Sequence, residues 1–167
     1  ALWYQGESNC GDGSRYFDKM KALVGGWRKV WQQGDFSFYF VQITPNTYDG
    51  RLPFLLEAQN MSMSIPNTGM AASTDTCDPS DHYGGGHPRN KQELGRRLAL
   101  WALAKDYGQK DLVYCGPRYK SFKVEGNRLR VSFDFVGGGL VTRDSKAPDY
   151  FEVSGADGKF VDATAGI

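Results

Sequence analysis

Two periods of apolar residues alternate along the first two thirds of the chain. Short apolar runs that are typical of buried strands lie at residues 1–4, 36–43 and 69–75. Each run is followed by apolar residues at helical spacing, over residues 14–33, 53–64 and 88–108. Three alternations of strand and helix predict right-handed βαβ units on a parallel sheet. We therefore expect an α/β fold in this part of the chain.

The pattern changes after Gly108. The runs that follow are short, nearly alternating and separated by turn sequences such as Glu125-Gly126-Asn127 and Ala156-Asp157-Gly158. They lie at residues 112–114, 119–124, 128–135, 140–142, 151–153 and 160–161. This pattern predicts antiparallel hairpins. We expect an α/β domain over residues 1–112 and a small antiparallel β-module over residues 113–167.

Composition excludes several classes of protein. The net charge is +1 and the basic residues form no stripe, so nucleic acid is not a favoured partner. No apolar run is long enough to span a bilayer, and the start lacks the layout of a signal peptide. Cys10, Cys77 and Cys115 form no CxxC pair, which argues against a zinc site, and we expect no metal or cofactor. The chain opens without Met on an apolar run, which favours a fragment.

Two polar loops carry the candidate chemistry. Residues 5–13 follow the first predicted strand and residues 75–87 follow the third. Ligands of an open parallel sheet bind beyond the carboxyl ends of its strands, so we expect both loops at one crevice. They would bring together several carboxylates, His87, Glu7, Ser8 and the amides of Gln5 and Gly6. A disulfide between Cys10 and Cys77 is conceivable, because each loop holds one of them.

His87 is the candidate general base. Pro88 suits the first position of a helix and Gly108 suits its C-terminal cap, which predicts His87 at the helix N-terminus. The positive end of the helix dipole favours neutral imidazole, the form that a base needs. The alternative is that His87 only caps the helix.

Several segments resemble a known family. Residues 3–9, WYQGESN, resemble the third conserved block of sialate O-acetylesterases and related carbohydrate esterases, within the SGNH (GDSL-like) hydrolase superfamily. HPRNKQ at residues 87–92, with LGRRLA at residues 94–99, is similar to the block that carries the catalytic histidine. Residues 66–71, 116–117 and 136–140 are also similar to family segments. The resemblance implies that the α/β part is a three-layer, flavodoxin-like SGNH-hydrolase fold.

What the resemblance implies is a serine esterase that removes acetyl groups from sugar hydroxyls. His87 would activate the serine, and the side-chain amide of Gln5 would donate to the oxyanion while Gly6 permits close backbone approach. In this family the nucleophile belongs to an earlier block, so a missing N-terminal part of the same protein would supply it. Ser8 is the rival nucleophile and otherwise a loop hydroxyl. Glu7 is expected to brace the loop.

The acidic partner of His87 departs from the superfamily pattern. An Asp usually lies two or three residues before the histidine, where this chain has Gly84 and Gly85. Asp81 is our candidate. The alternatives are Asp78, Asp75, a backbone carbonyl that orients the ring, and His82 as the base itself. We further expect Tyr83 to contact substrate, and Trp27, Trp31 and Trp101 to lie in the core.

The expected substrate is O-acetylated sialic acid. Acetyl xylan or another acetylated sugar is the alternative, and a non-catalytic carbohydrate-binding fragment is a third interpretation. The β-module is expected to be structural rather than an accessory sugar-binding surface. The family resemblance implies a secreted, lysosomal or periplasmic location.

Overall fold

The computed structural model describes residues 1–44, 51–77 and 86–167. The chain forms two compact units, Ala1–Cys115 and Gly116–Ile167. The division falls after Cys115, whereas the sequence pattern had placed it after residue 112. The first unit holds the parallel sheet and its helices, and the second holds two antiparallel hairpins.

The first unit contains a three-stranded parallel sheet in the order β1-β2-β3. The strands are β1 (Leu2–Trp3), β2 (Phe38–Val41) and β3 (Thr68–Ala71). The helices are α1 (Arg15–Trp31) before β2, α2 (Leu52–Met61) before β3 and α3 (Lys91–Lys105) after β3. This order confirms the predicted α/β fold. Because all three strands run in one direction, their carboxyl ends share one edge.

The strand β2 is buried on both faces, so the unit has three layers. Phe38 and Phe40 belong to a core cluster that also contains residues of α1 and α2. Tyr39 and Val41, which point to the other face, pack in a second cluster with residues of α3. The central strand is therefore a continuous apolar run, as expected for a strand that is covered by helices on both sides.

One helix, α1, keeps its path through Gly25 and Gly26. Its last residue is Trp31, whose prediction as a core residue is wrong because 48% of its surface remains exposed. Trp31 lies beyond the last buried position of the helix and stacks on Phe36, with ring centroids 5.2 Å apart. Trp101, in contrast, is 4% exposed and confirms the prediction.

The start of α3 corrects a second prediction. The helix begins at Lys91 and not at Pro88, because Asn90 caps it by accepting a hydrogen bond from the Glu93 N–H at 3.1 Å. The helix also ends at Lys105, before Gly108. His87 therefore lies outside the first turn, where the dipole effect has fallen off, and the dipole argument for a neutral imidazole no longer holds. A third difference lies after β3, where Thr74–Thr76 forms a short 3-10 turn instead of continuing the strand.

The second unit consists of two hairpins. Strand β4 (Arg118–Glu125) pairs with β5 (Arg128–Asp134), and β6 (Phe151–Ser154) pairs with β7 (Phe160–Ala163), both antiparallel. This confirms the predicted antiparallel character, although residues 112–114 and 140–142 form no strand.

In the described parts of the chain, no helix combines the length and apolar character that crossing a membrane requires.

Candidate active site

Three hydroxyl groups connect the carboxyl ends of the parallel strands. Tyr4 follows β1, Thr44 follows β2 and Ser73 follows β3. The Thr44 Oγ1 atom lies 3.4 Å from the Tyr4 hydroxyl oxygen and 3.4 Å from Ser73 Oγ. Ser73 also donates to the carbonyl oxygen of Gln42 at 2.6 Å. Thr44 and Ser73 are fully buried, so these contacts form a fixed polar floor at this edge of the sheet.

The side chain of Gln5 is held by a chain of polar contacts. After Gln5 and Gly6 the backbone forms a 3-10 turn over Glu7–Asp12. Gln5 Nε2 donates to Asn9 Oδ1 at 2.6 Å, and Asn9 Nδ2 donates to Asp12 Oδ2 at 2.5 Å. Lys19 of α1 donates to the same Asp12 oxygen at 2.6 Å. The hydrogen bonds from Lys19 and Asn9 hold the pKa of Asp12 below its usual value, which keeps this carboxylate charged.

The backbone of Gln5 is fixed from below by two buried side chains. The Tyr16 hydroxyl donates to the Gln5 carbonyl oxygen at 2.9 Å. Burial raises the pKa of Tyr16, so the hydroxyl stays protonated and remains a donor. Gln59 of α2 points its Nε2 at the same carbonyl, 3.5 Å away, and accepts from the Ile43 N–H at 3.0 Å. Gln59 thus links the end of β2 to the loop after β1.

Position 6 has no room for a side chain. Its φ of 156° and ψ of −18° are a combination that other residues rarely adopt. A Cβ here would lie 2.9 Å from Ile43 Cγ2 and 3.1 Å from Gln59 Nε2. The loop can therefore approach the end of β2 only with glycine at this position. The two next candidates differ in exposure, because Glu7 is half-buried and Ser8 is exposed on the 3-10 turn.

An ion-pair network joins the loop after β3 to α3. Asp75 accepts from Arg97 Nη1 at 2.6 Å and from Nη2 at 2.7 Å. Arg97 also donates to the carbonyl oxygen of Ala72 at 2.8 Å and to Glu93 Oε1 at 2.8 Å. Asp75, one of the alternative partners for His87, is therefore engaged by an arginine. Sequence reasoning missed this network, although the Glu93–Arg97 spacing of four residues was a signal for the helical part of it.

Glu93 is the acidic centre of that network. Arg96 donates to both of its carboxylate oxygens at 2.7 Å. The hydrogen bonds from Arg96 and then Arg97 lower the pKa of Glu93 to about 2. The hydrogen bond to Asp75, and after it the one to Glu93, raises the pKa of Arg97. Glu93 therefore stays ionised at neutral pH.

His87 lies before the cap of α3. Its side chain is exposed, while its neighbours Gly86 and Pro88 are buried. The first residue of α3, Lys91, places its Nζ 4.7 Å from the ring centroid of Tyr4. The segment that carries His87 therefore begins its helix against the residue that precedes Gln5. The remaining candidates lie outside the described residues, as do the two glycines at the usual aspartate positions: Asp78, Asp81, His82, Tyr83, Gly84 and Gly85.

The cysteines do not form the disulfide that the sequence made conceivable. Cys77 has a free thiol, which donates to the Thr74 carbonyl oxygen at 2.8 Å. Cys10 is the buried residue of the 3-10 turn Glu7–Asp12. Within residues 1–44, 51–77 and 86–167, no group of three or more His, Cys, Asp or Glu side chains is arranged to hold a metal ion.

Comparison with known proteins identifies the family. Residues 1–104 match the family described as carbohydrate esterase, sialic acid-specific acetylesterase. The chain belongs to this family. Among curated members, rat sialate O-acetylesterase is 34% identical over 153 residues, which cover 80% of this chain and 28% of the rat protein. The human sialate O-acetylesterase is 33% identical over 134 residues, covering 70% of this chain and 26% of the human protein.

A solved structure agrees with this assignment to the acetylesterase family. The crystal structure of a carbohydrate acetylesterase from Xanthomonas citri matches with a TM-score of 0.89 and 33% identity. The match covers 99% of this chain and 39% of that protein. The coverage of the curated relatives is lower, since the chain spans less than a third of the length of the rat and human proteins. These findings confirm the family resemblance that the WYQGESN and HPRNKQ segments indicated.

Proposed function

We propose that this chain supplies the general base and an oxyanion donor to a serine esterase that removes O-acetyl groups from sugars. The observation that carries the proposal is the contact between Tyr4 and Lys91, because it joins the bases of the two loops that hold Gln5 and His87. Family membership supports the same reaction class. A non-catalytic carbohydrate-binding fragment is the alternative that the first experiment below would reveal.

The proposed reaction uses a serine from sequence upstream of Ala1. His87 takes the proton of that serine as its oxygen attacks the acetyl carbonyl, and then returns the proton to the departing sugar hydroxyl. Water releases acetate from the acyl-enzyme in a second step, with His87 again as the base. Asp81 remains our candidate for the group that orients the imidazole.

Gln5 is suited to oxyanion stabilisation because its position is set before substrate binds. Its amide nitrogen has two N–H groups, of which one is directed to Asn9. The second can be donated to the developing oxyanion. The backbone is held by Tyr16, so the amide needs little reorganisation during the reaction. Glu7 braces this loop, and Ser8 serves as a loop hydroxyl rather than as the nucleophile.

The finer proposal is that the substrate is an O-acetylated sialic acid. Two curated relatives are named sialate O-acetylesterase, and the matching family is described as specific for sialic acid. Lys91 adds an argument from charge, since its ammonium group lies at the rim over Tyr4 and pairs with no carboxylate of the described residues. A sialic acid carries a carboxylate that such a cation can bind. Acetyl xylan and other neutral acetylated sugars are the alternative, because the Xanthomonas citri relative is named only for carbohydrate.

The location that we propose follows from the same family resemblance. We infer from that resemblance that the protein is secreted, lysosomal or periplasmic. Detection of activity in the culture medium or in a lysosomal or periplasmic fraction would test this inference.

The decisive experiment measures acetate release from O-acetylated sialic acid by the protein extended with its upstream sequence. His87→Ala should lower kcat by about 10²-fold or more, since loss of a general base usually costs that much. A decrease of less than about tenfold would mean that His87 is not the base. Absence of turnover by the extended wild-type protein, both on this substrate and on acetylated xylan, would favour the non-catalytic alternative.

A matched variant tests the rival nucleophile. Ser8→Ala should leave kcat within about twofold, because the exposed Ser8 hydroxyl has no part in the proposed transition state. The 167-residue chain on its own should show no turnover. If the isolated chain is active and Ser8→Ala abolishes that activity, the nucleophile is Ser8 and the upstream serine is excluded.

A further inference from the structure

We infer that Arg97 is a positioning residue for His87. It links the chain before residues 76–90, the segment that contains His87, to the helix that follows them. The inference rests on the proposed function, since it concerns the residue that we assign as general base. Arg97 is not expected to touch the substrate. Its role would be to restrict where the imidazole can lie.

The contacts of Arg97 reach both ends of that segment. Its guanidinium forms the bidentate pair with Asp75, at 2.6 and 2.7 Å, and donates to the Ala72 carbonyl oxygen at 2.8 Å. Ala72 and Asp75 lie just after β3, before the segment, whereas Arg97 belongs to α3, after it. One side chain thus links the two ends of the segment on which His87 lies.

The guanidinium is itself fixed in place. Its Nε donates to Glu93 Oε1 at 2.8 Å, one turn earlier on the same helix, and only 22% of the Arg97 side chain is exposed. Four N–H groups, on the three nitrogens of a rigid, planar fork, are therefore assigned to four oxygen atoms of three residues. A lysine could offer a charge at this position but could not reproduce the parallel pair of bonds to Asp75.

The link between the two ends of the segment matters for catalysis because His87 is exposed and lies before the helical cap. Tying the two ends of a segment reduces the number of conformations that its residues explore. A base must lie within hydrogen-bond reach of its proton, and a displacement of about 1 Å can cost about 10²-fold in rate. Arg97 would therefore act on kcat through the geometry of His87, with little effect on substrate affinity.

Arg96 provides a matched control. It is the adjacent arginine on α3 and makes its own bidentate pair with Glu93, at 2.7 Å for both bonds. Its side chain is 59% exposed, and no contact to Ala72 or Asp75 accompanies that pair among the described residues. Arg96→Gln therefore removes a similar ion pair from the same helix while leaving the two ends of the segment linked.

The test compares Arg97→Gln, Asp75→Asn and Arg96→Gln in the protein extended with its upstream sequence. We expect Arg97→Gln and Asp75→Asn each to lower kcat about tenfold or more, with KM within about twofold, and the double variant to be no worse than the stronger single one. Arg96→Gln should keep kcat within about twofold of the wild type. Asp75→Asn keeps the test decisive if Arg97→Gln fails to fold, because it retains the bond between Arg97 and Glu93.

A second background separates positioning from general stabilisation. In a His87→Ala protein, Arg97→Gln should cause no further loss of the residual rate, because a residue that acts through His87 has nothing left to position. The inference is overturned if Arg97→Gln behaves like Arg96→Gln, or if it lowers the residual rate of His87→Ala as much as that of the wild type. A His87→Ala protein that keeps nearly the wild-type kcat would instead contradict the proposed function itself, so the two failures are distinguishable.

Discussion

The indole of Trp101 occupies the space that a side chain on Gly69 would need. A Cβ at position 69 would fall 2.5 Å from the Cδ2 and Cε3 atoms of the ring. The indole N–H donates to the carbonyl oxygen of the next residue, Met70, at 2.9 Å. These contacts fix the position of helix α3 along strand β3. The same helix carries Lys91 and Arg97, so this contact also determines where both cations lie at the carboxyl edge.

Gly69→Ala should therefore destabilise the first unit. Overfilling a packed core typically costs about 1–3 kcal/mol, and the nearest atoms here belong to a rigid ring. The free energy of unfolding, measured with urea, should fall by that amount. The control is Gly95→Ala, which lies within α3 with open space around it. It should be neutral or stabilise by up to about 1 kcal/mol, because alanine favours helix over glycine. Equal stabilities of the two variants would contradict this account of the Gly69–Trp101 contact.

Tyr16→Phe should reduce catalysis as well as stability. The change removes the donor that holds the Gln5 carbonyl and leaves this partly buried acceptor with one partner fewer, at a cost of about 0.5–1.5 kcal/mol. In the active protein we expect kcat to fall more than KM rises, because Gln5 would act on the oxyanion. Steady-state kinetics and urea denaturation of the same variant would measure both effects.

Tyr39→Phe is the matched control for that prediction. Tyr39 is also a buried tyrosine whose pKa is raised by burial, and its hydroxyl donates to Asp106 Oδ2 at 2.9 Å, after the end of α3. Its loss should cost a similar amount of stability without changing kcat. If both variants lose activity in proportion to their loss of stability, Tyr16 has no specific part in holding Gln5.

The acid stability of the first unit should depend on Glu93. Its pKa is lowered to about 2, from an ordinary value of 4.5, chiefly by hydrogen bonds from Arg96 and Arg97. A lowered pKa in the folded state means that the contribution to stability is complete above about pH 4.5 and is lost as pH falls toward about 2. Between these values the stability of the wild type should therefore fall more steeply than that of Glu93→Gln.

Arg96→Gln offers an independent check on the sign of this effect. Arg96 is the largest cause of the lowered pKa, so its removal should move the Glu93-dependent loss of stability to higher pH. Thermal denaturation at half-unit pH steps would show the shift. Identical pH profiles for wild type, Glu93→Gln and Arg96→Gln would exclude a role for this carboxylate.

Lys91→Gln should change selectivity between acidic and neutral substrates. An exposed ion pair is worth about 0.2–1 kcal/mol, so kcat/KM for O-acetylated sialic acid should fall by about 1.4- to 5-fold. A neutral acetyl ester should be unaffected, and the difference should shrink in about 1 M salt, where charges are screened within about 3 Å.

Lys105→Gln is the control for Lys91, because it alters an equivalent contact elsewhere on α3. Lys105 Nζ lies 4.5 Å from the ring centroid of Tyr114 near the end of the helix, away from the carboxyl edge. This variant should retain the wild-type selectivity. An equal loss with both substrates for Lys91→Gln would contradict recognition of the sialic acid carboxylate.

The elements of the fold were predictable because their signals are local. The aromatic and β-branched run around β2 and the helical spacing of Tyr16, Met20 and Val24 are each visible within a few residues. The start of α3 was misplaced because two helix-initiation signals compete there. Pro88 fits a first turn, but Asn90 with Glu93 three residues later forms the cap that the chain adopts.

The candidate site was only partly visible in the sequence. Gln5 and Gly6 stand in a recognisable segment, whereas Gln59 looks like an ordinary polar residue of a helix, and only folding reveals its link between Ile43 and the Gln5 carbonyl. The pair of Asp75 and Arg97 was equally invisible, because no local period relates residues on opposite sides of a long segment. Such contacts depend on the sheet bringing the ends of β1, β2 and β3 to one edge.

The two-sided burial of β2 has a consequence for how such a chain can diverge over time. Phe40 and Val41 are neighbours in sequence but pack in different helical layers, so substitutions at the two positions change different sets of contacts. Inheritance can therefore remodel the layer of α3, with its charged rim, while the opposite layer that supports Gln5 keeps its ancestral packing.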